Sequence, residues 1–139
     1  MTQADAFFRK ELIQELRRIA RMMMEEKNIE KKTYYFSAAY GITSRHYRYT
    51  FSSEILLADL VLNTAYQSIN ARLKLLKSAN HTVELNEEIF EKLQDGLIKL
   101  ADALEAKKSI QPALEYILTL GFSTSGIGNY LKEKGSLKI

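Results

Sequence analysis

The chain has no cysteine and no tryptophan, a single proline and six glycines in 139 residues. Without cysteine there is no disulfide, no thiolate metal site and no cysteine nucleophile, and a reducing, cytoplasmic setting is the natural expectation. With Pro112 the only proline and most glycines in the last third, long helices run uninterrupted. Long apolar runs are also missing. The longest, Ile55 to Ala58 and Leu60 to Leu62, are split by Asp59 and fall far short of the ~20 residues that span a bilayer. The first ten residues lack the basic and apolar regions of a signal peptide, so no targeting segment is expected.

What is present is ordinary globular composition, 46% hydrophobic and 27% charged. A chain of this length buries roughly two-thirds of its unfolded surface, enough for one core, so a single domain over 1–139 is expected. The net charge of +3 is uneven: residues 1–50 hold ten Lys/Arg against six Asp/Glu, residues 51–108 seven against nine. The basic end invites a polyanion without specifying one.

Apolar spacing predicts an all-α, compact bundle of four to six helices. Phe8, Leu12, Leu16, Ile19 and Met23 recur by fours and threes, widened by Ile13, Ala20 and Met24, in a helix reaching about Asn28. Residues 29–52 read less clearly. Their aromatic residues do not alternate as a strand requires, and a short helix Glu30 to Tyr40 is expected, ended by Gly41 in the left-handed position, with another starting at Thr43 or Ser44. From Ser52 to Ser78, Ile55, Ala58, Leu62, Ala65, Ile69, Leu73 and Leu76 predict a long central helix, apolar nearly all round in its first half. Asn86 starts the next, with Ile89 or Phe90, Leu93, Leu97, Leu100 and Leu104 as its core line. Ser109 or Gln111 then caps a short helix carrying Pro112 in its first turn and ending at Gly121.

Residues 112–135 form a predicted C-terminal helical hairpin. Gly121 as turn glycine, Phe122 and Ser123 after it, and Ile127 and Tyr130 on the inner side of a second helix resemble the DNA-binding helix-turn-helix family. The resemblance covers about twenty residues. It implies base or phosphate contacts from Ser125, Asn129 and Lys132; Ile117, Gly126 and Gly128 depart from the pattern. The reading preferred is a hairpin that closes the bundle. Gly121 to Gly126 also has P-loop glycine spacing, but Ile127 stands where the lysine belongs, so nucleotide hydrolysis is not expected.

Two further groups carry candidate nucleic-acid contacts. Lys10, Arg17 and Arg21 form a narrow basic line on the first helix, and Arg45, His46, Tyr47 and Arg48 interleave cations with rings, a mixture that holds single strands by stacking and phosphate contact. Packing within the protein accounts for the same rings. His46 and His81 are the only histidines and show no paired-ligand spacing, so no metal and no cofactor are predicted. Asp59, Asn63, Gln67 and Asn70 are read as the solvent side of their helix. Met22, Met23 and Met24 cover too wide an arc for one core and suggest a self-association surface, giving a homodimer or other homo-oligomer. The function expected is therefore a non-catalytic binding or accessory module, with nucleic-acid binding or regulation as the alternative and a helical-bundle enzyme last.

Overall fold

The computed structural model describes residues 3–77 and 87–119, with side chains from residue 6 onward, and within them every regular element is an α-helix. In chain order these are α1 (Gln3–Glu25), α2 (Ile29–Thr50), α3 (Ser53–Leu76), α4 (Glu87–Glu105) and α5 (Gln111–Leu118). α1, α2 and α3 run up, down and up as neighbours, α4 lies on the other side of α1, and α5 touches both α4 and α3. The helices thus close a ring around one core, to which all five contribute.

The apolar stripes of α1, α3 and α4 face inward as their spacing requires. Leu12, Leu16, Ile19, Ala20 and Met23 on α1, Ile55, Ala58, Leu62, Ala65 and Ile69 on α3, and Phe90, Leu93, Leu97, Leu100 and Leu104 on α4 are all buried. Each fully buried aliphatic or aromatic side chain stabilises the fold by about 1.5–3 kcal/mol relative to exposure, before the entropy of ordering is set against it. α3 is the longest helix, but its main partners are α2 and α5, so it forms part of the ring rather than its centre.

Two expectations are corrected here. α1 stops at Glu25 instead of Asn28, because Asn28 takes the extended conformation and its side chain accepts from the Lys31 backbone N–H at 3.0 Å, capping α2. Nor does Gly41 end a helix: α2 runs straight through it to Thr50. The reason lies in its buried face. Lys32, Phe36, Ala39, Thr43 and His46 step by four and three on both sides of Gly41, so packing holds as one helix what glycine would weaken by about 1 kcal/mol. The hydroxyls in this stripe satisfy themselves within the helix: Thr43 donates to the Ala39 carbonyl at 2.8 Å and Thr33 to Ile29 at 2.9 Å.

The left-handed residue comes ten positions later. Phe51, at φ 54°, ends α2 and donates its N–H to the Tyr47 carbonyl at 2.7 Å; Ser52 then caps α3, its hydroxyl accepting from the Ile55 N–H at 3.3 Å. A two-residue link between antiparallel helices demands that sharp reversal. α4 ends similarly at Lys107, φ 56°, with Lys107 N–H on the Leu104 carbonyl and Lys108 N–H on Ala103, the paired bonds of a Schellman turn. α5 begins without a capping hydrogen bond from its N-cap residue, Ile110; the Ser109 hydroxyl accepts instead from the Gln111 N–H at 3.1 Å, with Pro112 in the first turn as expected. α4 and α5 approach closely at Gly96, where an added Cβ would lie 2.6 Å from Ile117 Cγ1. The second half of the predicted 112–135 hairpin, with Gly121 and its neighbours, lies outside the described residues.

Candidate functional site

Antiparallel packing of α1 on α2 brings the start of one beside the end of the other. Phe8, half-buried on α1, stacks on Tyr49 with centroids 4.6 Å apart and planes within 10°, and meets His46 edge-on at 6.2 Å. Phe7 lies edge-on to Phe8 at 5.7 Å, and Tyr47 edge-on to Phe51 at 6.0 Å. Phe7 and Tyr49, the outer members of the Phe8 cluster, are 65% and 61% exposed, and Phe51, which meets Tyr47 rather than that cluster, is 75% exposed at the same end of the bundle. The Phe51 ring is held out by the same left-handed backbone that turns the chain into α3, a conformation costing an L-residue roughly 1–2 kcal/mol. Three open rings on one end of a bundle are the kind of apolar patch that marks an interaction surface.

The candidate nucleic-acid residues separate onto different surfaces. Lys10 and Arg17 line a groove of about 340 Å³ between α1 and α4, together with Arg9 and Lys107. Arg17 is committed there, donating to Asp102 at 2.9 Å and to Glu105 at 2.5 Å, and Arg9 donates to the Leu104 carbonyl at 3.3 Å. These cations serve the C-terminal end of α4, where the helix dipole favours positive charge. Arg21 is exposed on the same helix. Arg45 sits across the other edge of α1, paired with Glu11. His46 is only 6% exposed, its ring packed beneath Phe8, so it supports the aromatic cluster from inside and offers nothing to a ligand on the surface. Tyr47 is half-buried against the core, while Arg48 is exposed beside the open rings. Ser125, Asn129, Lys132 and His81 lie outside the described residues.

Arg48 also acts on Asp59 of α3. Burial pushes the Asp59 carboxyl above its usual range, and the Arg48 cation opposes that rise. Its Oδ1 is buried and has no hydrogen-bond partner among the described residues, whereas Gln67 is exposed and Asn63 accepts from it at 3.4 Å. The polar line on α3 is a solvent side at Gln67 but not at Asp59. The methionines divide as well: Met23 is fully buried, Met22 half-buried under Arg18, and Met24 alone is exposed, so they do not form one patch.

Phe7 and Phe51 were not legible as site residues. Phe7 falls at the edge of the α1 stripe, and only the end of α2 at Phe51, masked by Gly41, brings both to the same end of the bundle. Comparison with protein-family models, with curated proteins and with solved structures finds no match to this chain. Among the described residues no group of His, Asp and Glu is placed to hold a metal ion, and no helix is long and apolar enough to cross a membrane.

Proposed function

We propose that the protein works by binding, as a helical interaction module that pairs with a second copy of itself through the aromatic end formed by Phe7, Phe8, Tyr49 and Phe51. The observation that carries this reading is the exposure at one end of the bundle of Phe7 and Tyr49, on either side of Phe8, and of Phe51 on its left-handed residue. The surrounding turns hold both signs, Lys10, Arg45 and Arg48 against Glu11, Glu54 and Asp59. Such a rim suits a twofold-related copy, which sets cations against carboxylates, better than a polyanion, which meets both. A cysteine-free chain is at home in the reducing cytoplasm, and that setting belongs to the proposal.

Sedimentation velocity over a concentration series tests it. Wild type is expected to associate, and Phe7→Ser with Phe51→Gly to stay monomeric. Phe51→Gly alone separates the roles of the ring: relief of the left-handed strain raises stability by about 1 kcal/mol while association weakens. Wild type that remains monomeric throughout overturns the reading.

A second reading rests on Arg48, exposed next to Tyr49: stacking rings beside a cation also suit single-stranded nucleic acid, with bases contributing about 1–3 kcal/mol each. It predicts binding to generic single strands that falls steeply with salt. Binding that is absent at low salt removes it.

A further inference from the structure

On the α4 side of α1, the groove of about 340 Å³ that Lys10 and Arg17 line has an aliphatic floor and a cationic rim. Ile13 and Leu104, both nearly buried, form the floor. Ala6, Lys10, Ile13 and Arg17 recur by fours and threes, so the α1 wall is one helix face about 16 Å long, or about three turns. The opposite wall is the last turn of α4 with Lys107 beyond it.

The lining holds Arg9, Lys10, Arg17 and Lys107 against Glu105 alone, an excess of three positive charges. Asp102, the second acceptor of Arg17, lowers that excess only to two. Arg9 and Arg17 already answer the negative end of the α4 dipole, Arg9 on the Leu104 carbonyl and Arg17 on the two carboxylates. Lys10 and Lys107 are surplus to it: both are exposed, and neither has an ion pair among the described residues. Lys107 moreover occupies the left-handed position of the Schellman turn, φ 56°, where glycine fits without strain. The chain thus holds a strained residue at a point where its side chain places a cation on the groove rim.

An aliphatic floor between cations without carboxylates of their own complements a segment whose carboxylates flank apolar side chains. Residues 120–139 do not supply one, since they hold three lysines against Glu133 alone. A nucleic acid finds no ring to stack on, because the described lining contains no aromatic residue. We propose that this groove docks an acidic amphipathic helix of a partner protein, its aliphatic side chains on Ile13 and Leu104 and its carboxylates on Lys10 and Lys107. Docking here does not depend on pairing of the aromatic ends.

The test titrates the full chain with a blocked peptide of about twelve residues, leucine at steps of three and four and glutamate elsewhere. Amide NMR shifts locate it, and fluorescence anisotropy of a dye on the peptide gives its affinity. Two control peptides replace every glutamate, or every leucine, with glutamine. Wild type is expected to show shifts at residues 6–17 and 104–108, an affinity that falls with salt, and at least about tenfold weaker binding of either control. Lys10→Glu with Lys107→Glu should weaken the acidic peptide at least about tenfold and create binding of its lysine counterpart. Lys107→Gly should raise Tm by relieving the strain while still weakening the peptide about threefold, an outcome that a purely structural lysine does not give. Phe7→Ser with Phe51→Gly should leave peptide affinity unchanged, which separates this groove from the aromatic end. No shift at millimolar peptide, equal binding of the glutamine-for-glutamate control, shifts confined to the aromatic end, or oligothymidylate that binds the groove as tightly overturn the proposal. Shifts at Ile13, Arg17 and Leu104 that follow protein concentration with no peptide present assign the groove to a second copy and overturn it as well.

Discussion

Replacing Gly41 by alanine separates two structures of α2 by the sign of one free-energy change. In a continuous helix, Gly41 is an exposed interior position, and a Cβ added there meets nothing within 4 Å. No clash offsets the gain, so the full helix-propensity difference of about 0.8–1.0 kcal/mol is available, part of it through a less flexible unfolded chain. For a domain of this size that amounts to a rise in Tm of about 3–5 °C. If Gly41 instead ended a short helix with a left-handed residue, alanine would pay roughly 1–2 kcal/mol of strain and Tm would fall. Thermal and urea unfolding followed by circular dichroism at 222 nm read the difference, since the two outcomes lie well apart on either side of zero. A drop in Tm refutes the continuous helix, and with it the placement of Arg45, His46, Tyr49 and Phe51 against α1.

Other substitutions probe packing and titration. Gly96→Ala must destabilise, by about 1–3 kcal/mol, because its Cβ would press into Ile117 across the α4–α5 contact; a neutral result in urea unfolding would mean the two helices stand further apart. Asp59→Asn should stabilise at neutral pH by about 0.5–1 kcal/mol, the side chain being half-buried. A carboxyl whose folded-state pKa is raised favours folding while protonated, and that contribution is lost as pH climbs through the raised value. The advantage of asparagine therefore grows from acid to neutral pH, and an advantage independent of pH contradicts the assignment.

How far the fold was legible follows from where its apolar residues lie. α1, α3 and α4 bury leucine, isoleucine and valine at helical spacing, and most of the core lines read from the sequence lie inside; their ends do not, since Met24 and Leu76 are exposed and Phe8 and Leu73 half-buried. α2 buries Lys32, Thr33, Thr43 and His46 alongside only Phe36 and Ala39, so its inner face does not register as hydrophobic. Local hydrogen bonds make the threonines tolerable, but Lys32 depends on Glu87, fifty-five residues away, and no local pattern announces such a partner. Gly41 then reads as punctuation because the residues that override it are polar. The same blindness affected the site. The Arg45–Tyr49 segment stood out by composition, yet which of its members point outward depends on the register of α2 on α1: His46 turns in, Arg45 to Glu11, and Tyr49 onto Phe8. Gln94, flanked by Leu93 and Leu97 in a strongly amphipathic helix, gave no sign that its amide would be buried.

The most direct test of the proposed interface is amide hydrogen exchange measured as protein concentration is raised. Phe7, Phe8 and residues 47–51 should gain protection with concentration while the exposed turns around Met24 and Lys108 do not change. Protection at the aromatic end that is independent of concentration, or that rises instead around Met24, would contradict the account.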